Sequence, residues 1–194
     1  MLLTRSLPLP VDLLSLQRLS PHRYPLLVES SAHGTAQGRW DLLLVGSGES
    51  LRLDADGVTR DAQGVSLGTD FFTALDEAWQ AQRVARDEPR WPFRGGWALL
   101  LGYEAAAQVE PVVKLPHAAG GLPVALALRC PAAVLRDHTT GDCVVVAEPR
   151  HEALLRQVLD DAEAAAQLSS LPPWQPPGAI EEDEPQRYIG GVQR

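Results

Sequence analysis

Residues 91–104 read WPFRGGWALLLGYE, with two adjacent glycines, Gly95 and Gly96, set directly before the most apolar run of the chain. Glycine enters positive φ without the Cβ clash that other residues meet, so the pair suits a tight turn feeding a strand. It also leaves the backbone bare for a close approach. The apolar run that follows is short, which favours a strand at Trp97–Leu101 over a helix. We therefore expect the glycines to turn the chain tightly and bring it close to another backbone as it enters that strand.

Upstream, YPLLVES (residues 24–30) reads as a strand ending in polar residues. RWDLLLVG (residues 39–46) reads as a second strand, rich enough in Leu and Val to be buried on both faces. LRLDADGVTRDAQG (residues 51–64) alternates between glycine-bearing turns, as a hairpin exposed on one face does. Thr69 or Asp70 can cap a helix from Phe71, and Phe71, Phe72, Leu75, Ala78 and Trp79 then share one side.

Downstream, residues 122–138 and 143–149 read as two strands joined at Asp137–Gly141. HEALLRQVLDDAEAAAQL (residues 151–168) is a helix with an apolar stripe of Leu154, Leu155, Val158, Leu159 and Ala162. Strands, helix, strands, helix with short connections predict an α+β domain, mainly antiparallel sheet with packed helices, over residues 1–168. The composition then changes: residues 169–186 hold five prolines and four acidic residues, a mark of an extended linker.

Composition excludes several classes of function. The 194 residues are 45% hydrophobic and 22% charged, enough for a core without metal or disulfide staples. Net charge is −8 and the only lysine is Lys114, so nucleic acid and anionic membrane surfaces are poor partners. No apolar run reaches the roughly 18 residues of a membrane span, and the cytoplasm is the expected location. Cys130 and Cys143 are expected to be buried free thiols, since a hairpin at His138–Gly141 would not bring them together.

No nucleophile elbow, phosphate-binding loop or metal spacing is present, and His22, His33, His117, His138 and His151 are scattered. Polar residues do gather at two strand ends. Glu29 and Ser30 close the first strand; Arg39, Trp40 and Asp41 open the second. A cation, an aromatic wall and carboxylates together suit an amino-acid zwitterion, whose ammonium needs an acceptor and whose carboxylate needs donors. The same residues also suit an internal ion pair at a sheet end.

YPLLVESSAHG, GRWDLLLVG, PFRGGWALLLGYE and RDHTTGD resemble, in order and spacing, the N-terminal region of component I of aminodeoxychorismate synthase. That family sits with anthranilate synthase component I among the chorismate-utilising enzymes. EPQRYIGGVQR resembles the start of the family's chorismate-binding domain, so the likeness covers roughly residues 20–194 and makes residues 187–194 the opening of a second domain. Arg39-Trp40-Asp41 is similar to the Arg-aromatic-Asp of aminodeoxychorismate synthases; anthranilate synthases usually have an Arg-Tyr-Ser type sequence there.

The resemblance implies an antiparallel α+β fold like the N-terminal part of anthranilate synthase component I. It implies a reaction in which ammonia from a glutamine amidotransferase subunit replaces a hydroxyl of chorismate, with magnesium on the substrate's carboxylate region. The family's nucleophilic lysine stands in a Pro-Ile-Lys-Gly-Thr type motif that this chain lacks, so these residues alone are expected to be inactive and to hold no cofactor. For Glu29, Ser30, Arg39, Trp40 and Asp41 it implies a tryptophan-type pocket. It further implies packing against the chorismate-binding domain, leaving an apolar face exposed on this chain by itself. Two other readings stand beside it: the equivalent segment of an anthranilate synthase, acting as a tryptophan feedback sensor, and a free-standing binding module.

Overall fold

The computed structural model describes residues 2–7, 11–32, 34–35, 38–84, 90–110, 112–115, 120–169, 172–173, 175, 177–179, 182 and 184–193. Two sheets form among them, and every strand pairing is antiparallel. The first holds β1 (Leu3–Ser6), β2 (Leu26–Val28), β3 (Trp40–Val45), β8 (Ala132–Asp137) and β9 (Cys143–Ala147), in the order β1-β9-β8-β3-β2. The second holds β4 (Ser50–Leu53), β5 (Thr59–Asp61), β6 (Gly96–Leu101) and β7 (Ala125–Cys130), in the order β5-β4-β7-β6. The helices are α1 (Leu13–Leu19), α2 (Phe71–Ala81), α3 (Ala106–Val109), α4 (Glu152–Ala165) and α5 (Pro185–Val192).

Alternation along the strands sorts their side chains into separate cores. Leu43, Val45, Val134 and Val145 face α1 and α4, meeting Leu13, Leu16, Leu155 and Val158. Leu44, Leu135 and Val146 face the other way, packing with Cys130, Trp91 and, more peripherally, Ala98 and Leu128 of the second sheet. The outer face of that sheet buries Leu51, Leu53 and Ala127 under Phe71 of α2. The result is four layers: helices, sheet, sheet, helix. Asp70 starts α2 by accepting from the Thr73 N–H at 2.9 Å, as its sequence position predicts.

Three features differ from the sequence reading. Residues 122–138 are not one strand: β7 ends at Cys130 and β8 begins at Ala132, in different sheets. Pro131 between them has no N–H to give a ladder, and its carbonyl accepts instead from the Glu148 N–H at 2.9 Å. The strand within YPLLVES shortens to Leu26–Val28 and lies at a sheet edge, with Leu26 and Val28 exposed rather than buried. The N-terminal β1 and α1, unassigned from the sequence, arise from partners far along the chain, since β1 pairs with β9 and α1 packs with α4.

Gly95 and Gly96 both have positive φ, +97° and +147°, and lead straight into β6 as expected. What Gly95 approaches is a side chain and not a backbone. A Cβ at that position would be driven into the Glu148 carboxyl, well inside any real contact distance. Glu148 is buried there against Arg129, which also donates to the Gly96 carbonyl at 2.9 Å and to Gln82. This cluster ties β6, β7 and the end of β9 together where the chain changes sheets.

β6 is an edge strand. Leu99, Leu100 and Leu101 are about half exposed, and Tyr103 and Val109 beyond them are exposed. Phe72, Leu101, Tyr103 and Val109 flank an apolar groove of about 290 Å³. An apolar face of the expected kind is thus present. Cys130 and Cys143 are free and buried, and burial pushes the Cys130 thiol up to about 11. No helix among the described residues is long and apolar enough to cross a membrane.

Candidate functional site

The candidate residues lie where β2 and β3 meet the end of β8. In β3, Trp40 pairs across the sheet with Asp137, and Asp41 with Arg136. Successive strand residues point to opposite faces, so Trp40 and Asp41 separate. Trp40 packs with Leu42 on the face toward Trp91 and Phe93. Asp41 belongs to the helical face, buried at 2% exposure, and accepts from His138 Nε2 at 2.8 Å with Arg136 Nη1 at 3.8 Å. Its Oδ1 has no hydrogen-bond partner among the described residues.

Arg39 makes a two-pronged contact with Asp137, its Nε donating to Oδ1 at 3.0 Å and its Nη2 to Oδ2 at 2.6 Å. Its guanidinium also lies 4.9 Å from the centroid of the Trp40 ring. Trp40 meets Trp91 edge-on at 6.1 Å and 71°, and Arg90 covers the far ring at 4.5 Å. Two cations therefore bracket an edge-on tryptophan pair, and with Asp137 behind Arg39 the stack joins five side chains from three segments. The internal ion pair foreseen for Arg39 is present, with Asp137 as its carboxylate. The Arg39 side chain is still 47% exposed.

Ser30 is half-buried just after β2, its Oγ accepting from the Ala32 N–H at 3.2 Å, whereas Glu29 is exposed. Gly38 lets this turn close, because a Cβ there would strike the Ala32 carbonyl. Beside it, Leu26 and Val28 are exposed, with Trp40 and Leu42 half-buried next to them. In sum, the structure brings Ser30, Arg39 and Trp40 to one partly apolar edge and puts Asp41 on the opposite face. Sequence reading missed Arg90, Trp91 and Asp137 as members of the stack; only the pairing of β3 with β8 and the return of the chain before β6 place them. His33 and His117 lie outside the described residues, as do residues 85–89 and 116–119 of the loops around β6 and α3 and part of the expected linker.

Arg39 beside Asp137, helped by the Thr139 N–H, holds the Asp137 carboxyl down to about 2, from an ordinary 3.8. A carboxyl depressed by folding adds stability that is full above its unfolded value and is lost as pH falls through its folded value. The urea midpoint should therefore drop between about pH 4 and pH 2. Asp137→Asn should flatten that acid limb; an unchanged limb in the variant would show that the pair does not govern it.

No protein-family model matches the chain, and no curated protein matches it in sequence. Among solved structures, it is similar to the crystal structure of anthranilate synthase component I from Streptococcus pneumoniae TIGR4. The TM-score is 0.55 with 16% identity, over 74% of this chain and 33% of that one. The likeness shows the fold. It is α+β with two antiparallel sheets, shared with part of that longer chain, and this chain spans one third of its length. Among the described residues, no three of His, Cys, Asp or Glu gather as a metal site would require.

Proposed function

We propose that the chain is the N-terminal part of component I of aminodeoxychorismate synthase, a chorismate-utilising enzyme that forms 4-amino-4-deoxychorismate on the route to p-aminobenzoate and folate. The observation that carries this is the two-sheet fold shared with anthranilate synthase component I over 74% of the chain. Arg39-Trp40-Asp41 selects the aminodeoxychorismate branch. In this reading the chain is a scaffold for the chorismate-binding domain, and the half-exposed leucines of β6 are part of the face it covers. The glutamine amidotransferase that supplies ammonia, the magnesium ion and the nucleophilic lysine all belong to the complete enzyme.

The edge formed by Ser30, Arg39 and Trp40, with Glu29 at the rim, takes a tryptophan-type ligand in this proposal. Leu26, Val28 and Trp40 offer apolar surface to the indole, and Arg39 offers the charge for a carboxylate. Asp41 acts from behind, through His138 and Arg136 on the other face of the sheet. A second reading, the equivalent part of an anthranilate synthase, is favoured by the name of the structural neighbour itself.

Two measurements test the proposal. Incubated with chorismate, ammonium and magnesium, the chain should form no amino product by mass; turnover would place an active site within it and overturn the scaffold role. Calorimetric titration with tryptophan should show saturable binding that Arg39→Ala abolishes. The product of the complete enzyme, 4-amino-4-deoxychorismate or anthranilate, separates the two readings.

A further inference from the structure

At the end of β3 and β8 farthest from Arg39, a cavity of about 380 Å³ opens between the end of α2 and the start of α4. Its lining includes Gln82, Arg83, Arg129, Glu148, Arg150 and His151. Arg129 is 2% exposed and fixed by Gly96, Gln82 and Glu148, so its charge is built into the wall and not swept in from solvent. Glu148 is neutralised by that pair. Glu49, also in the lining, accepts from Gln82 Nε2 at 2.7 Å and from Ser47 Oγ at 3.2 Å.

The remaining charges do not cancel. Arg83 lies 5.2 Å from the centroid of the Trp79 ring, and no carboxylate among the described residues pairs with it or with Arg150. Arg83 and Arg150, without ion pairs of their own among the described residues, thus flank a concave, partly polar space. Glu49 is the one carboxylate left over in it, so the lining is net positive on a chain of net charge −8. The N-cap of α4, His151, makes no side-chain cap bond, so the positive end of that helix adds to the same field.

We propose that this cavity binds a small organic dianion, a metabolite bearing phosphate or paired carboxylates, gripped between Arg83 and Arg150 above Arg129. Guanidinium forks match both groups by two-pronged hydrogen bonding, and the volume suits a ligand of metabolite size. The proposal is independent of the tryptophan-type reading, whose residues lie at the other end of β3.

The test titrates inorganic phosphate and succinate separately into the chain at constant ionic strength, read by calorimetry and by the shifts of the arginine Nε–H signals. Saturable binding of at least one is expected, phosphate alone marking a phosphate-bearing ligand and succinate alone a dicarboxylate. The Arg83→Ala/Arg150→Ala double variant should bind about tenfold more weakly or worse, since each lost charge-assisted bond is among the stronger kinds. Both side chains lack ion pairs among the described residues, so the variant should keep its far-UV spectrum and melting temperature. No saturable binding of either anion, or binding that the folded double variant retains in full, overturns the proposal.

Discussion

Replacing Arg129 with Met should cost about 3–5 kcal/mol of stability, because it leaves the Glu148 carboxylate buried without its counter-charge. The pair lies deep, at 2% and 8% side-chain exposure, where solvent screens it little. Arg129 also satisfies the Gly96 carbonyl and the Gln82 side chain, so its loss strands more than one polar group. A pair of this kind is weak evidence for stability in itself, since desolvation offsets much of the attraction. The double variant Arg129→Met/Glu148→Leu should therefore recover most of the loss. Urea denaturation of the two single variants and the double variant measures this. A single-variant loss below about 1 kcal/mol would mean that water reaches Glu148.

Gly95→Ala should be damaging for two independent reasons. The φ of +97° is strained for any residue with a Cβ, at about 1–3 kcal/mol. The added methyl would also strike the Glu148 carboxyl and push it off Arg129, adding part of the cost of breaking the buried pair. The two causes can be separated. In a Glu148→Gly background the collision disappears and only the backbone strain remains, so Gly95→Ala should cost distinctly less there than in the native chain. Equal costs in both backgrounds would leave strain as the sole cause and remove Glu148 from the account of this glycine pair.

Much of the architecture is legible in local pattern. The α2 and α4 stripes, the Asp70 cap, the β4–β5 hairpin and the continuous Leu–Val run of β3 each depend on residues within about one element, and periodicity reports them directly. The chain break at Pro131 was also written locally, but an apolar run on both sides of it masks the change of sheet. β1 was not legible: four residues with little pattern become a strand only because β9 offers its edge. The same holds for the exposure of β2 and β6, which follows from their place at sheet edges and not from their composition.

The candidate site divides in the same way. Arg39, Trp40 and Asp41 stand out in the sequence as charge and aromatic surface at the start of a strand. Their separation onto two faces follows from strand alternation once β3 is placed between two occupied faces. Asp137, Trp91 and His138 come from segments about 50 to 100 residues away, and the Arg129 cluster likewise joins residues 19 to 47 apart in the chain. The sequence by itself determined which of the strongly patterned segments become helix or strand, β1 and α1 excepted, and which polar residues stand at their ends, because those depend on neighbours along the chain. Only the tertiary structure decided which charges meet and which apolar strands stay uncovered, because pairing and burial depend on which distant segments share a sheet.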